Sequence, residues 1–140
     1  MDAHAGELPP ELVEQCRDTL EQAMAETDGT VFALLATVDG LAVASSTAPG
    51  WDIAAERVAA MASSGHALGD TLAGEIGADD CNGVIIPTDR LSVVFLAVPD
   101  VAAPPLILGL AATAQESLGS VLFAARSCAH AIRDGLTATT

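Results

Sequence analysis

Two strand-like runs joined by Asp39-Gly40 constrain the fold of this chain more than any other feature. Residues 31–38 are β-branched and aliphatic, and a second such run, 41–46, follows the Asp-Gly pair directly. This arrangement is typical of a tight β-hairpin, because glycine accepts the positive φ that the turn requires. The hairpin indicates an antiparallel sheet, and the flanking segments are interpreted around it.

Three helical patterns and three further strand-like runs surround the hairpin. Apolar residues recur at three- and four-residue intervals over 9–28, 53–76 and 118–135, with Asp52 as the expected N-cap of the second helix and Gly77 and Gly135 as expected stops. Further strands are predicted at 83–86, 91–98 and 106–113. The order α-β-β-α-β-β-β-α predicts an α+β sandwich with five mostly antiparallel strands. We expect a disordered leader over 1–8, one domain over 9–136 and a disordered tail over 137–140.

The charge balance excludes several classes of partner. The chain has 19 acidic residues, five arginines and no lysine, for a net charge of -14, so it repels nucleic acid and anionic membranes. The longest purely apolar stretch, 106–112, is far shorter than the roughly 20 residues of a membrane span. Free cysteines and an N-terminus without a signal-like pattern favour a cytoplasmic location.

Candidate chemical sites are weak, so we expect no enzyme activity, no metal and no cofactor. Cys128 and His130 point to different sides of a helix, and Cys16 lies on an apolar stripe. Cys81 is surrounded by carboxylates, which raise a thiol pKa and disfavour the nucleophilic thiolate. The acidic segment 79–82 is interpreted as a solvated turn, because it lacks the alternating ligands of a calcium loop. A phosphate-binding loop of the G-x-x-x-x-G-K-[ST] form requires a lysine, which the chain does not contain.

The middle helix carries two parallel stripes with the same 4-3-4-3-4 spacing. We predict that the larger side chains, the large-residue stripe, form the core: Ala54, Val58, Met61, Gly65, Leu68 and Leu72. About a quarter-turn away lies the small-residue stripe: Ala55, Ala59, Ala62, His66, Gly69 and Ala73. Glycine weakens a helix by roughly 1 kcal/mol, so its presence favours a close packing contact with another helix, although alanine abundance alone (28 of 140 residues) is an alternative explanation.

The order of elements resembles the roadblock family (dynein light chain roadblock type), in particular its bacterial, MglB-like members. Three motifs carry the resemblance: TVDGLAVASS at the hairpin, AERVAAMA in the middle helix and QESLGSV entering the last helix, within a match over roughly 11–136. It implies a profilin-like, five-stranded antiparallel sheet with one long helix on one face and two helices on the other. It also implies homodimers formed by pairing of the middle helices and of the third strands.

The resemblance further implies a non-enzymatic adaptor that binds a Ras-like small GTPase of the MglA-like kind in bacterial signalling. For the homodimer interface we expect the small-residue stripe together with Val84 and Ile86 of the third strand. For the GTPase we expect the outer side of the middle helix: Arg57, Ala60, Ser63, Ser64, Ala67, Asp70 and Thr71. Arg57 itself is interpreted as a surface ion pair with Glu56 and Asp52 in preference to an arginine finger. The alternative function is a small-molecule sensor domain with a pocket between the sheet and a helix, since the layout also resembles profilin-like and PAS-like folds.

Overall fold

The structure, a computed structural model, describes residues 8–101 and 105–138, so all of the predicted leader over 1–8 except Leu8, and residues 139–140 of the predicted tail, lie outside the described part. Its elements follow the predicted order. The helices are α1 (Pro10–Glu26), α2 (Ala55–Glu75) and α3 (Leu118–Ala138). The strands are β1 (Thr30–Thr37), β2 (Ala42–Thr47), β3 (Gly83–Pro87), β4 (Leu91–Ala97) and β5 (Leu106–Thr113).

The five strands form one sheet in the order β2-β1-β5-β4-β3. Every neighbouring pair is antiparallel, and the hairpin predicted at Asp39-Gly40 joins β1 to β2, with Gly40 at a φ of 100°. β1 and β5 lie in the middle and are buried on both faces, which explains their continuous apolar sequences. β2 and β3 are the two edge strands.

Helices cover both faces of the sheet, as the predicted α+β sandwich requires. α1 and α3 pack on one face, where a large core cluster contains Leu20, Leu108 and Ile132. α2 crosses the other face and contacts β1, β2, β3 and β5. The predicted fold class, with one long helix opposite two, is therefore confirmed.

Two predicted helix ends are wrong. Asp52 does not cap α2; the capping position is Ala54, and no side chain bonds to the free backbone groups there. Gly135 does not end α3, which continues to Ala138, so the predicted tail is helical at 137–138. A Cβ at position 135 would lie 2.8 Å from Nε2 of Gln15, so this glycine permits a close approach of α1 to α3. Gly77, with a φ of 80°, does follow the end of α2 as predicted.

Candidate functional site

The small-residue stripe of α2 faces the sheet of its own chain. Ala59 and Ala62 are 0% exposed and Ala73 is buried, while Ala55, His66 and Gly69 are partly covered. A second copy of the chain cannot contact the buried alanines unless α2 leaves the sheet. The prediction that this stripe forms an exposed packing face is therefore wrong, and with it the assignment of the stripe to a dimer interface.

The sheet beneath α2 explains why small residues face inward. Ala62 packs in a cluster with Phe95 and Ile107, and a Cβ at Gly109 would lie 2.9 Å from the Phe95 ring, which occupies the space above that glycine. At position 69, a Cβ would lie 2.3 Å from Sγ of Cys81. The large side chains lie beneath α2 and the small ones lie on α2 itself. The backbones of α2 and the sheet therefore approach closely.

The large-residue stripe of α2 lies at the surface, which corrects its prediction as core. Met61 is 64% exposed, Leu68 72% and Leu72 59%, and Ile76, at the C-cap of the helix, is 72% exposed. Val58 and Gly65 are half-buried, and Ala54 is exposed. A contiguous exposed row of large aliphatic side chains is typical of a site of interaction with another molecule.

The edge strand β3 lies next to this row. Val84 and Ile86 pair with Phe95 and Val93, whose side chains pack under α2, so both project from the face that α2 covers. Ile86 is exposed and Val84 is half-buried. Since β3 pairs only with β4, its outer backbone groups face away from the sheet.

Two hydrogen bonds orient α2 over the sheet. The Ser63 hydroxyl donates to the Val38 carbonyl at 2.6 Å, and the Cys81 backbone N–H donates to Oδ1 of Asp70 at 2.9 Å. The two backbone groups, the Val38 carbonyl and the Cys81 N–H, both lie at the end of the sheet where β1 ends and β3 begins. The large-residue stripe is on the opposite flank of the helix, so it points over the half of the sheet where Ile86 lies.

The third side of α2 is the one predicted to bind a partner. Arg57, Ala60, Ser64, Ala67 and Thr71 are exposed there. Ser63 and Asp70 lie at its margin and are engaged in the hydrogen bonds above. Among the described residues Arg57 makes no ion pair, so its predicted pairing with Glu56 and Asp52 is wrong, and its guanidinium is available to a partner.

His66 interacts within its own helix. Its Nε2 lies 3.3 Å from Oδ2 of Asp70, one turn later, and its side chain is only 21% exposed. The same carboxylate therefore links His66 to the backbone before β3. The bond from α2 to the segment before β3 is thus made by Asp70, and His66 contacts that residue within the helix.

The thiols do not form a nucleophilic site. Burial raises the pKa of Cys16 to about 11, and burial together with the nearby Cys16 raises that of Cys128 to about 11 as well. Both thiols are therefore protonated at neutral pH, and His130, predicted not to pair with Cys128, is exposed. Sγ of the half-buried Cys81 lies 3.3 Å from the Gly83 carbonyl.

Three further observations concern a small-molecule pocket, a metal site and a membrane segment. One cleft lies between α1 and α3; another lies between the sheet, at β3 and β4, and α3, which is the kind of position that the alternative sensor function predicts. Across residues 8–101 and 105–138, no three His, Cys, Asp or Glu side chains are grouped to hold a metal ion. In the same ranges no helix has both the length and the apolar character needed to cross a bilayer.

Comparison with known proteins identifies the architecture. A family model described as the Roadblock/LC7 domain matches residues 17–102, more than half of the chain. A solved structure described as MglB with tetrameric arrangement is 20% identical, with a TM-score of 0.82 and 96% of each chain covered. The gliding protein MglB from Thermus thermophilus is 19% identical, with a TM-score of 0.80 over 94% of this chain and 96% of that one.

A Roadblock/LC7 domain from Streptomyces avermitilis is also similar, at 19% identity and a TM-score of 0.74, covering 86% of this chain and 97% of that one. No curated protein matches the sequence. At these identities the solved structures establish a shared fold, and the matched family model establishes the wider relationship.

Proposed function

The chain belongs to the Roadblock/LC7 family, and from that premise we propose that it is a non-enzymatic, cytoplasmic, homodimeric regulator that binds a Ras-like small GTPase of the MglA-like kind. One observation carries the proposal: α2 exposes a row of large aliphatic side chains beside an unpaired strand edge. A second copy of the chain, related by a twofold axis, would cover both features at once.

The interface that we propose replaces the small-residue stripe with the large-residue stripe. Met61, Leu68 and Leu72 of one protomer pack against the same residues of the other, and the two β3 strands pair edge to edge. Val84 and Ile86 keep the interface role predicted for them. Burial of aliphatic side chains contributes about 25 cal/mol per Å² of apolar surface, so this row is a suitable centre for a dimer.

The GTPase would bind the third side of α2, which stays free in such a dimer. This side presents the unpaired Arg57 among small residues, Ala60, Ser64 and Ala67, over which another protein surface can approach closely. Arginine is enriched at the centres of protein interfaces, because its fork of donors satisfies several acceptors. The chain supplies no nucleotide-binding loop, so the nucleotide belongs to the partner.

Adjacent substitutions on α2 separate the two interactions. Leu68→Glu places a charge in the proposed dimer interface, and Ala67→Glu places the same charge on the proposed GTPase side, both at exposed positions. By sedimentation, we expect wild-type protein and Ala67→Glu at about 28 kDa, twice 14.1 kDa, and Leu68→Glu at the monomer mass.

Binding of a purified Ras-like GTPase from the same organism, loaded with GDP or with a GTP analogue, then tests the regulatory role. We expect binding that depends on the nucleotide and weakens at least about tenfold in Ala67→Glu and in Arg57→Ala. A monomeric wild-type protein would refute the dimer. Equal binding by wild-type and Ala67→Glu protein, or none in either nucleotide state, would refute the docking side.

A further inference from the structure

The face opposite α2 contains a groove, here called the α1–α3 groove, that the proposed function does not use. α1 and α3 run antiparallel and meet closely at one end, where Nε2 of Gln15 lies 3.4 Å from the Gly135 carbonyl. Toward the other end they separate, and the cleft between Glu26 and Gly119 has a volume of about 760 Å³. The groove follows both helices for several turns and opens to solvent.

An exposed aromatic side chain provides an apolar contact point on the wall of the groove. The chain has only three phenylalanines; Phe32 and Phe95 are buried, whereas Phe123, on the wall of the groove, is 71% exposed. Small side chains accompany it, including Ala23, Ala124 and Ala131. Such side chains let another helix approach closely, and a large ring beside them is typical of the anchoring point of an interface.

The charge of the groove is entirely negative. Glu26, Asp28 and Glu116 line it, and no arginine or histidine is among its described lining residues. Gly29, with a φ of 78°, makes room for the Glu116 side chain, because a Cβ there would lie 2.5 Å from Cγ of Glu116. The C-terminal end of α1, which carries no basic residue in its last turn, adds its partial negative charge.

We propose that the α1–α3 groove binds a basic amphipathic helix of a partner protein. One apolar side of that helix packs on Phe123 and on the small residues, and its Lys or Arg side chains reach Glu26, Asp28 and Glu116. A third helix laid between α1 and α3 would extend the helical layer on this face of the sheet.

Charge complementarity selects this occupant over a second copy of the chain. A molecule with a net charge of -14 would bring further carboxylates to a groove that already contains three. A basic helix instead gains from the field of the whole acidic molecule as it approaches. The groove and the α2 surfaces lie on opposite faces of the sheet, so both can be occupied in the same molecule.

A displayed library of random peptides, long enough for about four helical turns, tests the proposal on the intact protein. We expect the enriched peptides to carry basic residues and apolar residues at helical spacing. Phe123→Ser should weaken their binding about tenfold or more, without loss of fold, since the ring is mostly in water. The triple variant Glu26→Gln, Asp28→Asn, Glu116→Gln should weaken it similarly and flatten its dependence on salt.

The matched control removes three carboxylates elsewhere: Glu56→Gln, Glu75→Gln and Asp89→Asn, all exposed and outside the groove. It should leave peptide binding within about twofold of wild type. Equal weakening by both triple variants would show that the peptides bind only the overall charge and would overturn the proposal. So would a failure to enrich basic peptides, or a change of oligomeric state in Phe123→Ser, which would make the groove a contact between copies of the chain.

Discussion

The two stripes of α2 have the same spacing and opposite roles. The small-residue stripe, with Ala59 and Ala62 fully buried, holds the helix on its own sheet. The large-residue stripe, with Met61, Leu68 and Leu72 mostly exposed, faces away from the core of the chain. The larger hydrophobic side chains are thus the ones that the isolated protomer leaves in water.

The difference shows that side-chain size does not decide which stripe is inside. Phe95 and Ile107 already fill the space beneath α2, so only a side of the helix that carries small residues can pack there. Close backbone packing there replaces the interdigitation of large side chains that the usual amphipathic pattern assumes. The large-residue stripe, about a quarter-turn away, is left exposed.

Among substitutions in the two stripes, Ala62→Glu should lower the stability of the fold the most. A carboxylate in a site with no exposed surface and no described partner should destabilise the fold by more than about 4 kcal/mol, a large part of the roughly 5–15 kcal/mol that stabilises an ordinary domain. Ala67→Glu, at an exposed position of the same helix, should unfold within about 0.5 kcal/mol of wild type.

Chemical denaturation followed by circular dichroism distinguishes these outcomes. If the small-residue stripe instead faced a second copy, Ala62→Glu would separate the protomers and leave a folded monomer. Such a monomer would contradict the orientation of α2 described above.

Gly69→Ala should have an intermediate effect on the free energy of unfolding. The new methyl group would lie 2.3 Å from Sγ and 3.1 Å from Cβ of Cys81, so we expect a net loss of about 1 kcal/mol despite the better helix propensity of alanine. Gly74→Ala is the matched control, because nothing beyond the local backbone of its own helix lies within 4 Å of the added Cβ, and it should stabilise by up to about 1 kcal/mol.

A double-mutant cycle with Cys81→Ala sharpens this test. Removing the sulfur relieves the nearer contact, so Gly69→Ala should cost less in that background, with a coupling energy of about 0.5 kcal/mol or more. Strict additivity of the two substitutions in urea denaturation would show that Gly69 does not pack against Cys81.

Leu72→Ser should have the smallest effect on the folded protomer. In dilute protein the free energy of unfolding should change by less than about 0.5 kcal/mol, because the side chain is 59% exposed. The proposed dimer predicts that the wild-type unfolding midpoint rises with protein concentration and that this dependence weakens in Leu72→Ser. A concentration-independent midpoint in wild-type protein would contradict the proposed contact.

Local patterns predicted the architecture well. The Asp39-Gly40 hairpin, the order of eight elements and the bounds of β5 follow from short-range turn chemistry and from continuous apolar runs. These signals depend on neighbouring residues, which the sequence displays directly. The strand order beyond the hairpin was not predicted, because it depends on pairings between distant segments.

The orientation of α2 could not be predicted from its own residues, because both stripes fit the helical period. The deciding residues, Phe95 and Ile107, lie in β4 and β5, which are 33 and 45 positions after Ala62. The glycine at position 69 was a usable signal of close approach, but its contact is with Cys81 of the same chain. Likewise, Gly135 permits contact with Gln15, across the chain, where local rules predicted a helix end.

The sheet has two outer strands, and they differ in what they offer a neighbour. β3 carries two exposed isoleucines before its final Pro87, while β2 presents Ser45, Ser46 and Thr47, and its pairing with β1 is interrupted by a register shift between Leu35 and Ala36. A hydroxyl-rich, irregular margin is a poor template for another strand. In the dimer proposed above, the two β2 strands would be the outermost strands of the joined sheet, and their irregularity would disfavour the addition of further copies.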